Sequence, residues 1–204
     1  MKLRFPVLLS AAMLVGPAVA PAVGQSPQDV LSPPSGLPRA EHGEPAYSLD
    51  TLFSALKIAP DETSAKAIEN RIWAVWIESG SDTCDLLMTR VKDAIEGKDY
   101  DLAIRLLDSI IAIRPGYVEA WNQRATVYYL KDDYARAIAD IAEVLAREPR
   151  QFGALAGLGL LLQDIGDDKD ALDAYRKALA IDPHLENIPD VVKTLTEKVE
   201  GRDI

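Results

Sequence analysis

The stretch "AWNQRATVYYLKDDYARAIADIAEVLAREP", residues 120–149, decides how this chain folds. Trp121, Ala125 and Tyr128 fall three or four positions apart, on one face of a helix. The polar run "LKDD" interrupts that pattern. Ala137, Ile141, Val144 and Leu145 then resume it until Pro149, which cannot continue a helix. Two helices joined by a tight turn are predicted. The same columns recur at one fixed interval, the step from Pro115 to Pro149 and from Pro149 to Pro183. Ala103, Ala137 and Ala171 keep it, and so do Leu107, Ile141 and Tyr175. Leu87, Trp121 and Leu155 form a further column, and Val91, Ala125 and Gly159 another. Columns that keep one interval mark a repeat in which each hairpin buries its apolar face on the next. The small residues Gly159 and Ala171 let paired helix axes come within about 8–10 Å.

The patterns "W-x2-R-A-x2-Y…A-x3-I…P" from Trp121 to Pro149 and "L-x2-L-G-x2-L…A-x3-Y…P" from Leu155 to Pro183 resemble tetratricopeptide repeats. The resemblance covers residues 84–185, divided into units 84–117, 118–151 and 152–185. It implies an all-α fold, a right-handed α-α superhelix of three hairpins. The pattern has departures: Arg90 and Arg124 stand where the family usually places a large aliphatic side chain, and Ala94 replaces the Tyr128 or Leu162 of the other units. A guanidinium in such a place must find partners or reach water. Asp85, Asp108, Glu119 and Asp140 are near in sequence, so a structural ion-pair network is expected, with anchoring of an acidic partner segment as the alternative.

Residues 48–83 keep part of the register, because Phe53, Trp73 and Trp76 lie one such interval before Leu87, Leu107 and Ile110. Pro60 ends their first helix early, and Glu69 replaces the small alanine. A degenerate helical pair capping the array is expected, with both tryptophans packed on the first unit. In residues 186–204, Ile188, Val191, Val192, Leu195 and Val199 form one apolar stripe, as expected of a helix that closes the other end.

The flanks have a different character. Residues 1–24 read as a cleavable signal peptide: basic Lys2 and Arg4, an apolar run too short to span a bilayer comfortably, then small residues. Residues 25–47 hold five prolines and few apolar residues, the composition of a disordered leader. Without Lys2 and Arg4 the basic count falls from 22 to 20 against 32 acidic residues, a net charge of −12. Such a surface disfavours nucleic acid and anionic membrane, and no membrane insertion is expected after signal cleavage. Cys84 is the only cysteine, so no internal disulfide forms. It reads as a small apolar residue, with an intermolecular bridge left open.

The first helices of successive units line a groove. Met88, Lys92, Asn122, Thr126, Ala156, Leu160 and Gln163 are expected on that side, and Tyr129 one residue around from the core-facing Tyr128. This mixed surface suits an extended or helical peptide. Some members of the family grip a C-terminal carboxylate with paired Lys and Asn side chains; here Lys92 and Asn122 could contribute, and the other cations are missing. Gly153 and Gly157 weaken a helix unless something approaches closely, first the closing helix and second a bound peptide.

Chemistry is not visible. Two histidines and one cysteine cannot build a zinc site, and neither G-x-S-x-G nor a phosphate-binding glycine loop occurs. Asp164, Asp167, Asp168 and Asp170 miss the spacing of a calcium loop and read as a charged turn. No catalytic, metal or cofactor site is expected. The expected function is a periplasmic adaptor that binds a segment of an envelope protein, the compartment being implied by resemblance to exported repeat proteins of Gram-negative bacteria. A self-associating structural protein and, in another class, an envelope enzyme or accessory are the alternatives.

Overall fold

The computed structural model describes residues 48–201, so the expected signal peptide and leader lie outside the described residues. Within them there are nine helices and no strand. We number them α1 (Leu49–Lys57), α2 (Glu62–Ile77), α3 (Asp82–Glu96), α4 (Tyr100–Ile113), α5 (Val118–Leu130), α6 (Tyr134–Arg147), α7 (Phe152–Asp164), α8 (Asp168–Ile181) and α9 (Ile188–Val199). Three hairpins, α3–α4, α5–α6 and α7–α8, stack in order as a right-handed superhelix, and α9 packs on α8.

The repeat is legible at its turns. Asp99, Asp133 and Asp167 cap α4, α6 and α8, each accepting from the backbone N–H three positions on, at 3.1, 3.3 and 3.2 Å. Such caps are worth about 1 kcal/mol each. Just before them Lys98, Asp132 and Gly166 take positive φ, 58°, 57° and 87°. Only the third unit carries the residue that adopts this conformation without a Cβ clash. Lys98→Gly is therefore expected to stabilise the fold by up to about 1 kcal/mol, read as a rise of a few degrees in the melting midpoint. The helices end where Arg114, Glu148 and Asp182 precede Pro115, Pro149 and Pro183, because a residue before proline is pushed out of the α region.

Between these ends the small and large columns interlock. Ala103, Ala137 and Ala171 are 0% exposed, and Leu107, Ile141 and Tyr175 at most 2%. Each large side chain contributes about 1.5–3 kcal/mol by burial. Gly159 lies under the Tyr175 ring, and a Cβ there would fall 2.7 Å from two ring carbons. Cys84 is fully buried in the first hairpin's core, which removes its thiol from any contact between molecules.

Residues 48–77 depart from expectation. α1 and α2 do not stack before the first hairpin. They build a core of their own from Leu52, Phe53, Leu56, Ala65, Ile72, Trp73 and Trp76, completed by Phe152 at the start of α7. Trp73 meets Phe152 edge-on at 5.8 Å, and Trp76 meets it at 5.3 Å. The tryptophans therefore sit on the third unit rather than the first. Two sequence features account for this: α1 is short, spanning only Leu49–Lys57, and Glu69 at the alanine column denies the hairpin the close crossing the other units use.

Because no described element stacks before it, the first hairpin keeps a free end. Leu86, Arg90 and Asp93 are exposed there. Ala120 and Val127, and likewise Ala154 and Leu161, occupy the first and last of these columns in the next two units and are fully buried.

Candidate functional site

The inner face is built by α3, α5 and α7, whose stacking brings equivalent columns of successive units side by side. α2 crosses the leading ends of α5 and α7. The Tyr117 hydroxyl donates to the Ile77 carbonyl at 2.6 Å, and the Trp73 ring covers Gly153 so closely that a Cβ would lie 2.9 Å away. Gly153 thus accommodates α2, not the closing helix. On its far side α1 is pinned by Arg150, which pairs with Asp50 at 2.6 Å and lies 4.5 Å over Phe53. A pocket of about 250 Å³ remains there, lined by Asp50, Phe53, Ser54, Lys57, Arg150 and Ile181.

The expected groove residues divide into two groups. Asn122 and Thr126 are fully buried, so neither offers a surface to a partner in this conformation. The Asn122 amide donates to Glu119 at 3.2 Å, and the Thr126 hydroxyl to the Asn122 carbonyl at 3.1 Å. Helical spacing places both on the inner side but does not reveal what lies over it. Ala156, in the same column as Asn122, is also buried. Lys92 and Gln163 are exposed, while Met88, Tyr129 and Leu160 are half-buried. Lys92 pairs loosely with Glu96 at 3.8 Å, and Gln163 accepts from the Tyr175 hydroxyl at 3.3 Å. Together these five leave an open strip along the trailing part of the face.

The aromatics of α5 serve the framework. Trp121 donates its ring N–H to the Pro115 carbonyl at 3.0 Å and is flanked by the Arg124 and Arg147 guanidiniums at 4.9 and 4.7 Å. Tyr129 packs on Tyr134, 5.8 Å between centroids, and its hydroxyl donates to Asp164, which ties the second unit to the third. The acidic turn is equally occupied: Asp164 accepts from Tyr129, Asp167 caps α8, and Asp168 pairs with Lys198 at 2.5 Å.

Arg124 and Arg90 separate. Arg124 forks onto Asp140 through Nε and Nη2 at 2.8 and 2.7 Å and reaches Asp108 through Nη1 at 2.6 Å, so the expected ion-pair network is present there. Arg90 lies on the free end of the first hairpin and is exposed, where water solvates it.

One buried acid was not legible in the sequence. Glu119 is 1% exposed and accepts from Gln123 at 2.7 Å and from Asn122. Burial pushes its carboxyl up to about 7, against the lowering effect of those two amides. The native state therefore holds a proton that the unfolded chain releases from about pH 4.5 upward. This stabilisation is complete below that pH and lost as pH rises to about 7. A shift of this size is worth roughly 3 kcal/mol. We expect the melting midpoint to fall between pH 5 and pH 8, and Glu119→Gln to remove most of that fall.

Kinship follows the geometry. A tetratricopeptide repeat model matches residues 88–143 and 124–186. A TPR repeat-containing protein of Rhizobium etli is 40% identical over 163 residues, covering 80% of each chain. The Sgt2 TPR domain from Aspergillus fumigatus superposes with a TM-score of 0.54 at 24% identity, over 59% of this chain and 81% of that one. The first TPR of Spaghetti (RPAP3), solved bound to the HSP90 peptide SRMEEVD, gives 0.55 at 17% identity over 59% and 95%. These two share the fold. With repeat register, stacked hairpins and a relative of similar length in agreement, the chain belongs to the tetratricopeptide repeat family.

Proposed function

We propose that the protein is a periplasmic adaptor that holds a segment of another envelope protein on its inner face. Domains of this family mediate protein–protein interaction, and a solved neighbour of the same fold carries a bound peptide. The observation that carries the reading is the open strip of Met88, Lys92, Tyr129, Leu160 and Gln163 on the inner face of the array. Methionine and leucine supply adaptable apolar contact, while Lys92 and Gln163 supply hydrogen bonds. The compartment rests on the basic, apolar and small-residue order of residues 1–24.

The test is affinity capture from fractionated cells with wild type and the double variant Lys92→Glu, Leu160→Asp. Lys92 is exposed and Leu160 is half-buried at the edge of the third hairpin's core, so circular dichroism first checks that the array stays folded. The reading expects the protein in the periplasmic fraction and a discrete co-purifying protein that the double variant loses. Cytoplasmic retention, or capture indifferent to both substitutions, would contradict it.

A further inference from the structure

α1–α2 is joined to the array differently from every other hairpin. Its buried core is its own apart from Phe152, the one buried residue the array contributes. Residues 78–81 link α2 to α3, and Gly80 among them takes φ +64°. The seam also carries unbalanced polar atoms. Among the described residues, Trp76 Nε1, Gln151 Nε2 and Asp182 Oδ2 are buried without a hydrogen-bond partner. Buried atoms of this kind weaken the state that buries them.

The most consequential of these is Asp182. It is 0% exposed, its Oδ1 accepts from the His184 N–H at 3.0 Å, and the charge of Glu69 from α2 acts on it. Glu69 is itself 5% exposed and holds Lys66 at 2.9 Å. Two buried carboxyls, Glu69 on the cover and Asp182 on the array, therefore act on each other across the seam, and Glu69 also holds the partly exposed Lys66.

We propose that the α1–α2 hairpin is a detachable cover over the leading half of the inner face, clasped on Phe152 and held while the buried Asp182 carboxyl stays neutral. Losing its proton sets two negative charges against each other in a site that water does not reach, and the hairpin lifts as a unit on residues 78–81. Lifting uncovers Phe152 and Gly153 and extends the open strip toward the leading ends of α5 and α7. The cover does not depend on a partner being found for that strip.

The direction with pH follows from burial, then from Glu69. Together they push the Asp182 carboxyl from 3.8 up to about 6. Docking is strongest below about pH 4 and weakens as pH rises to about 6, because only the docked form retains the proton over that interval. The other groups facing the pair are Lys66 on α2, which partly offsets the repulsion, and His184 after α8. His184 also faces Asp61 at the start of α2. Glu119 adds a pH dependence of its own, through the array.

Hydrogen exchange on the intact chain tests this, reading the peptide over residues 62–77 at pH 4.5 and pH 7 after correction for intrinsic rates. In the Glu119→Gln background, which removes the array's own pH response, opening of α2 is expected to rise about tenfold or more, since each unit of pKa shift is tenfold in the equilibrium, and to exceed any change in α5–α8. Asp182→Asn should abolish the difference, with α2 protected at both values. Phe152→Ala should open α2 at both values while the first hairpin keeps its protection. Should Asp182→Asn fail to fold, Glu69→Gln removes the repulsion from the other side and must give the same flat response. Equal α2 protection at the two pH values, or α2 opening only in step with α5–α8, would overturn the proposal. So would a pH response that persists in both carboxyl variants.

Discussion

Arg124→Leu is expected to destabilise the protein by about 3–5 kcal/mol, the cost of leaving a buried charge without its partner. Asp140 is 4% exposed and receives two of the three hydrogen bonds that the guanidinium makes. Without Arg124 its buried carboxylate loses both. For a chain of this size the loss corresponds to roughly 10 °C or more in the melting midpoint. Arg124→Leu combined with Asp140→Leu should recover much of the loss, since apolar replacement of a whole buried pair is often neutral. Arg90→Leu is the control. It changes the equivalent residue one repeat earlier, yet Arg90 stands on the array's free end, and its replacement should stay within about 0.5 kcal/mol. A large loss at both positions would mean that the first hairpin is covered after all.

The second large effect is expected at Gly159. Alanine is the better helix former by about 1 kcal/mol, so an isolated α7 would gain from Gly159→Ala. In the array the new Cβ meets three Tyr175 ring carbons at 2.7, 2.7 and 2.9 Å. That ring is 2% exposed and has nowhere to go. Overpacking of this kind costs about 1–3 kcal/mol. Gly159→Leu should reach the upper end or prevent folding. Shrinking the opposing ring provides the check. In a double-mutant cycle, Tyr175→Leu with Gly159→Ala should cost less than the two separate losses added together. Simple additivity would show that the close approach of α7 and α8 does not depend on the missing side chain.

These two sites show how much the sequence could reveal. The columns of small and large residues disclosed the three hairpins, because a repeated contact leaves the same residue type at the same interval. The turn at Asp132–Asp133 and its counterparts follow that rule. Arg124 could be given its acids, since Asp108 and Asp140 lie equally far to either side of it in sequence, one helix away in the repeat. The equivalence of Arg90 and Arg124 misled, because a column reports local register and not whether a neighbour stacks on it. The same limit hid the position of α2. Trp73 and Trp76 fit the register one repeat before Leu107 and Ile110, and only the pairing with Phe152 reveals that the hairpin turns back along the inner face. Gly153 was the available clue. A glycine in the first turn of α7, with no place in the repeat pattern, requires something large lying against it, and that something proved to be an indole. Helical spacing puts Asn122 and Thr126 on the inner side without showing that they are buried, and Glu119, expected among the acids of an ion-pair network, accepts instead from Gln123 and Asn122.

The adaptor account rests on the trailing strip meeting another polypeptide. The most direct test places a photo-crosslinking residue at Lys92 or Gln163, both exposed on the inner side, and at Lys177, exposed on α8, as the comparison. After illumination of living cells, the adducts are identified by mass spectrometry. The account predicts one discrete heterologous protein trapped from both inner positions and absent from Lys177. No adduct at either inner position, or the same adducts from all three, would contradict it.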